Sequence, residues 1–359
     1  MHSATAILST ENLIHNVATI RNKVPYARIL AMIKANAYGH GIRSVALRIE
    51  PYVDGLGVAR IEEAIALRAV GVRSAIVIMS GVFSASAFAL AAQEKFSVVL
   101  HDIAQLHWLE KSVLSVPLRV WIKIDTGLGR LGFHPEAGLA AYIALKQDAR
   151  IEQPIGVMSH MACADVPQHL LNTEQLSLFA AVAQQVDGPK SICNSAGVFA
   201  FPEHHYDLVR PGIALYGISP LAGISAASLD LKPVMTINTR LIAVKQVQKG
   251  KSLGYGAGFI CPETMPIGII ALGYGDGLPR TMTDGAPIMV NDVCCRIVGR
   301  VSMDMVTIDL RACPTACVGD PVVVWGEGLP LEELVAYTSH IPYDMLTAVQ
   351  SRVKFTWTA

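Results

Sequence analysis

Eight short apolar runs, each followed by a helix-like or looped stretch, fill the first two-thirds of the chain, and this alternation narrows the fold more than any other feature. The runs are Arg28–Lys34, Gly55–Ala59, Ala75–Met79, Ser97–Leu100, Leu118–Asp125, Ile155–His160, Ser191–Asn194 and Leu208–Arg210. Uninterrupted apolar strands separated by helices describe a parallel sheet covered on both faces. Eight repeats favour a closed barrel over an open doubly wound sheet. No Gly-x-Gly-x-x-Gly follows the first run, which argues against a dinucleotide fold. A leading helix is expected over Glu11–Val24, capped by Ser9 or Thr10.

Beyond about residue 225 the texture changes. Met235–Val247, Ile267–Leu272, Pro287–Val290, Arg296–Val298, Met305–Leu310 and Pro321–Trp325 are rich in Val, Ile and Thr, with turn dipeptides such as Lys249-Gly250 and Asp284-Gly285 between segments. The expected architecture is therefore a (β/α)8 TIM-type barrel over residues 1–225, followed by a C-terminal β-rich domain over 226–359.

Composition removes several partner classes. With 29 basic and 29 acidic residues and no basic run, nucleic acid is an unsuitable partner. The low charged share, 16%, fits a large buried fraction, either a barrel core or a subunit interface. Ser74–Gln93 carries no charge and is long enough to span a bilayer, but Ser80, Gly81, Ser84 and Ser86 interrupt it. It reads as a strand (Ala75–Met79), a turn and an Ala-rich helix (Ser86–Gln93). Met1–Ser9 has neither a basic start nor a long apolar run, so no secretory signal is expected. The seven cysteines form no Cys-x-x-Cys pair, and Cys313 and Cys317 have no matching second pair. Reduced thiols in a cytoplasmic protein without a metal site or membrane partner are the expectation.

Five segments carry candidate chemistry. Lys34 ends the first apolar run inside Ile33-Lys34-Ala35-Asn36-Ala37-Tyr38-Gly39-His40-Gly41. At the C-terminal end of a barrel strand a partly desolvated lysine has a lowered pKa and can form a Schiff base; taken alone, it could equally lie along apolar surface with its amine in water. In Trp121-Ile122-Lys123-Ile124-Asp125-Thr126-Gly127-Leu128-Gly129-Arg130, alternation puts Trp121, Lys123 and Asp125 on one face. Arg130 follows in a glycine-rich turn, where its fork can grip a carboxylate, or it could belong to an ordinary surface charge cluster. His160 lies near the end of the sixth run. Ser195 follows the seventh, as a phosphate contact beside helix N–H groups or a plain cap. Val209-Arg210-Pro211-Gly212-Ile213 follows the eighth.

In order and spacing these segments resemble the alanine racemases, over nearly the whole chain. The resemblance implies that Lys34 holds pyridoxal 5'-phosphate covalently. Tyr38, Ser195, Tyr343 and the backbone of Gly212 and Ile213 would contact its phosphate, His160 would lie beside its ring, and Arg210 would donate to the pyridine nitrogen. An arginine of pKa above about 12 cannot hand over that proton, which disfavours long-lived carbanion chemistry. Arg130 would bind the carboxylate of alanine, with Lys123 carbamylated to orient it. Leu253-Gly254-Tyr255-Gly256 and Arg300-Val301-Ser302-Met303 match segments that reach into the other subunit of a homodimer. Tyr255 would act as the base opposite Lys34, and Met303 would offer its backbone to substrate. The implied activity is interconversion of L- and D-alanine, supplying D-alanine for peptidoglycan or degrading it. Two alternatives stay open: a non-enzymatic pyridoxal-phosphate-binding protein, usually barrel-only, and a barrel-type amino-acid decarboxylase, which tends to put a carboxylate where Arg210 stands. Ile341-Pro342-Tyr343-Asp344 departs from the usual Ile-Pro-Tyr-Glu, leaving the role of that carboxylate open.

Overall fold

The computed structural model describes residues 4–358; the start of the segment read for a secretory signal, residues 1–3, lies outside the described residues. Eight parallel strands follow the runs in order: Arg28–Met32, Gly55–Val58, Ile76–Ile78, Ser97–Leu100, Leu118–Lys123, Ile151–Met158, Lys190–Ser191 and Leu208–Val209. The last pairs with the first, and a parallel bridge from Asn194 to Arg210 joins the seventh to the eighth, so the sheet closes into a barrel. The second, third and fourth strands are buried along their whole length, as both-face coverage requires. Trp121 fills the interior by lying where a side chain on Gly156, its partner in the next strand, would stand.

The leading helix is Thr10–Lys23, and Ser9 Oγ caps it by accepting from Asn12 N–H at 3.0 Å. Its buried Asn16 donates to the carbonyls of Leu215 and Lys232 and accepts from Lys232 N–H. That amide ties the helix to the segment after the eighth strand, where Gly212 and Ile213 lie.

In the second domain Met235–Val247 pairs antiparallel with Pro321–Trp325 and with Met265–Ile270. The order Met265–Ile270, Val306–Asp309, Val293–Ile297, Pro287–Val290, Pro321–Trp325 therefore returns to Met235–Val247 and closes. Closure leaves none of these six strands as a sheet edge. Two further strands of this sheet were not foreseen. Thr5–Ser9 pairs antiparallel with the start of Met235–Val247, and Lys354–Thr358 lies parallel to Thr5–Ser9. The N-terminal strand thus belongs to the sheet of the C-terminal domain, and both ends of the chain tie the two domains together. Among the described residues no helix is long and apolar enough to cross a membrane.

Candidate active site

The C-terminal ends of the barrel strands open into a cavity of about 970 Å³ lined by Lys34, Tyr38, Lys123, Arg130, His160, Ser195, Arg210, Gly212, Ile213 and Tyr343. Ten of the twelve residues singled out from the sequence are therefore brought together in one chain. The other two, Tyr255 and Met303, lie on the β domain outside this cavity and are 68% and 53% exposed.

Lys34 does not end its strand as expected. The strand stops at Met32, and Lys34 opens a turn in which Ala35, Asn36, Ala37 and Tyr38 all have φ between 51° and 54°. Four consecutive non-glycine residues are thus left-handed, at about 1–2 kcal/mol each. Tight packing offsets that strain. Ala37 N–H donates to Ile33 O at 2.9 Å, and Gly41 N–H donates to Asn36 O at 2.9 Å. The next residue, Gly39, continues the positive φ, and a Cβ there would strike the carbonyl of Leu346. Leu346 belongs to the helix Pro342–Ala348, so this close approach also seats Tyr343, whose ring centre lies 5.9 Å from that of Tyr38. Asp344 resolves the open question about its carboxylate: it accepts from Ile341 N–H at 3.0 Å and meets His340 Nδ1 at 3.0 Å, fixing the start of that helix.

Strand alternation correctly turns Lys123 inward, and it is only 6% exposed. Asp125, however, lies beyond the strand end and turns away, accepting from the N–H groups of Gly127 and Gly129, which shapes the turn leading to Arg130. His160 likewise falls two residues past its strand, which ends at Met158. Asn194, not Ser195, caps the helix Ser195–Ala200, accepting from Gly197 N–H at 3.0 Å. The Ser195 hydroxyl instead faces the cavity, where it accepts from Gly212 N–H at 2.7 Å. Loops after the seventh and eighth barrel strands are the common phosphate site of this architecture.

The cavity is cationic. Burial, with Arg210, Arg130 and Lys34 nearby, pushes the Lys123 amine down to about 8 against the pull of Asp125. Burial and Arg130 also lower Lys34, opposed by Glu63. Burial, then the charges of Arg210, Lys123, Arg130 and Lys34, hold His160 far below its usual range, so its ring is neutral. Burial brings Arg210 down to about 10, below the value above 12 expected from the sequence; it remains a cation at neutral pH. Its guanidinium donates to Ser191 Oγ and to the carbonyls of Ser159 and Ile192.

The donor set matches a phosphorylated, planar group of pyridoxal type. Hydroxyls from Ser195, Tyr38 and Tyr343 line the same cavity as the backbone of Gly212 and Ile213. A Cβ on Gly212 would hit the Tyr38 hydroxyl, so only glycine leaves that cradle open. Burial raises the Tyr38 phenol well above its ordinary value, which keeps it a donor.

The family model for the alanine racemase N-terminal domain matches residues 8–220, and the C-terminal domain model matches residues 234–357. The chain belongs to the alanine racemase family. It is 44% identical over 361 residues to an alanine racemase from Coxiella burnetii (strain CbuK_Q154), covering 99% of each. The biosynthetic alanine racemase of Pseudomonas aeruginosa has the same fold, with a TM-score of 0.97 and 39% identity across 100% of both chains. The Bartonella henselae alanine racemase, solved with covalently bound pyridoxal phosphate, matches with a TM-score of 0.86 and 28% identity over 99% of each. One residue that holds the Lys34 turn from outside this cavity had escaped notice in the sequence. Glu63 accepts the N–H of Ala35, the residue after Lys34, at 2.8 Å. The acidic residue three positions after Arg60, at the start of a helical run, was its only sequence signal.

Proposed function

We propose that the chain interconverts L- and D-alanine with pyridoxal 5'-phosphate, at a site that two copies of the chain build together. The observation that carries this is the convergence of Lys34 with the Ser195, Gly212 and Tyr38 cradle and with Arg210 in one cavity. The cofactor, when bound, supplies an electron sink that acidifies the Cα–H of alanine. Lys34 Nζ holds the cofactor and moves a proton on one face of Cα. Tyr38, Ser195, Tyr343 and the N–H groups of Gly212 and Ile213 bind phosphate, and His160 packs as a neutral ring beside the pyridine. Arg210 donates to the pyridine nitrogen and keeps its own proton at neutral pH, which favours brief proton exchange over transamination.

Tyr255 and Met303 serve the cavity of a second copy, a reading supported by their exposure outside their own chain's cavity. The domain division at about residue 225 and a cytoplasmic location complete the proposal; the seven cysteines, all free thiols, support the latter. The direct test is purification and a chiral assay against a panel of small amino acids. Alanine racemisation with a borohydride-sensitive absorbance band supports the proposal, and binding without turnover would favour the non-enzymatic carrier instead.

Arg130 binds the substrate carboxylate and Lys123 is carbamylated beside it. The adduct forms when the neutral amine attacks carbon dioxide and releases a proton, so its occupancy should rise as pH climbs through about 8. Arg130→Ala is expected to raise KM and lower kcat/KM by about 2–3 kcal/mol, the worth of lost charged hydrogen bonds. Steady-state kinetics check the first part and peptide mass analysis the second; an unmodified Lys123 across that pH range contradicts it.

A further inference from the structure

The turn that carries Lys34 is gripped from the helix after the neighbouring strand by a carboxylate with no part in the chemistry proposed above. Glu63 is the third residue of the helix Ile61–Ala69, which follows the second barrel strand. Its Oε1 accepts from Ala35 N–H at 2.8 Å, while Oε2 accepts from Ala59 N–H at 2.7 Å and Arg60 N–H at 3.1 Å. One side chain thus joins the exits of the first and second barrel strands. Ala35 is the first of the four left-handed residues, and its N–H is the peptide N–H next after the Lys34 Cα. A change in that peptide's direction swings the Lys34 side chain.

We infer that Glu63 is a positioning residue for Lys34, fixing the direction of its side chain by tying Ala35 to the end of the next strand. The inference rests on the proposed role of Lys34. Both carboxylate oxygens face only backbone donors in these bonds, so an ionised carboxylate is the matching group. A glutamine would turn its NH2 toward at least one N–H and leave that donor unpaired. Electrostatics point the same way: Arg130, Lys123 and His160 face Lys34 from the fifth and sixth strands and their loops, and Glu63 is the acid that opposes the lowering of its pKa.

The test is Glu63→Gln in the full-length protein, read in two ways. Amide hydrogen exchange of the peptide covering residues 33–41 should quicken at least about tenfold, while Pro321–Trp325 stays at the parent rate. For alanine, kcat should fall on the order of tenfold or more with KM changed less than about twofold, since the reacting amine and not substrate binding is displaced. Parent-like exchange and kcat together would overturn the inference, as would a loss confined to KM. If Glu63→Gln does not fold, Glu63→Asp keeps the charge but is one methylene too short, and parent-like exchange in that variant overturns the inference equally. The exchange readout judges the tether even if Lys34→Ala proves active, so failure of the tether and failure of the Lys34 assignment are separable.

Discussion

Lys34→Ala is expected to abolish racemisation of both alanine enantiomers and to remove the absorbance band of bound pyridoxal phosphate. The substitution deletes two roles at once. In the proposed reading Lys34 Nζ is both the covalent anchor of the cofactor and the proton carrier on one face of Cα. A positioned acid–base group alone contributes about 10²–10⁴-fold, so loss of both should exceed about 10⁴-fold in kcat. Burial first and then Arg130 lower the Lys34 pKa, opposed by Glu63, which is the direction that favours the free amine. Chiral chromatography of reaction mixtures and a visible spectrum decide the matter; normal turnover in the variant ends the assignment.

Tyr255→Phe should suppress racemisation in both directions by about 10²–10⁴-fold yet leave α-hydrogen exchange of D-alanine in deuterated water detectable. Racemisation takes a proton from one face of Cα and returns one to the other. Under the proposed assignment Arg210, protonated at neutral pH, would only donate, which would leave the deprotonated substrate short-lived and one base moving between faces too slow. Lys34 is assigned D-alanine and Tyr255 L-alanine, so the variant keeps the first half-reaction and loses the second. If it instead exchanges only L-alanine, the faces are reversed; parent-rate racemisation would mean that Tyr255 is no base.

Much of this site was legible in the sequence because barrel strands are apolar throughout and their C-terminal ends bear the polar residues. Lys123 pointed inward as alternation required, and Ser195 and Arg210 followed the seventh and eighth strands. What failed was fine placement. Lys34, Asp125 and His160 lie past their strand ends. The reason is clearest at Lys34: four non-glycine residues in the left-handed region carry no turn signature, since tertiary contacts with Glu63 and Leu346 hold them there. The strands Thr5–Ser9 and Lys354–Thr358 escaped for a related reason. Each is short, and each exists through a partner from the far end of the chain.

The most direct test of a site shared between two copies is subunit mixing. Lys34→Ala and Tyr255→Phe chains, each inactive alone, are combined under conditions where subunit exchange is verified by mass. A heterodimer then holds one cavity with Lys34 of one chain and Tyr255 of the other, and one cavity lacking both. The expected result is recovery of alanine racemisation toward one functional site per heterodimer. No recovery after confirmed exchange would mean that each chain completes its own site, contradicting the account.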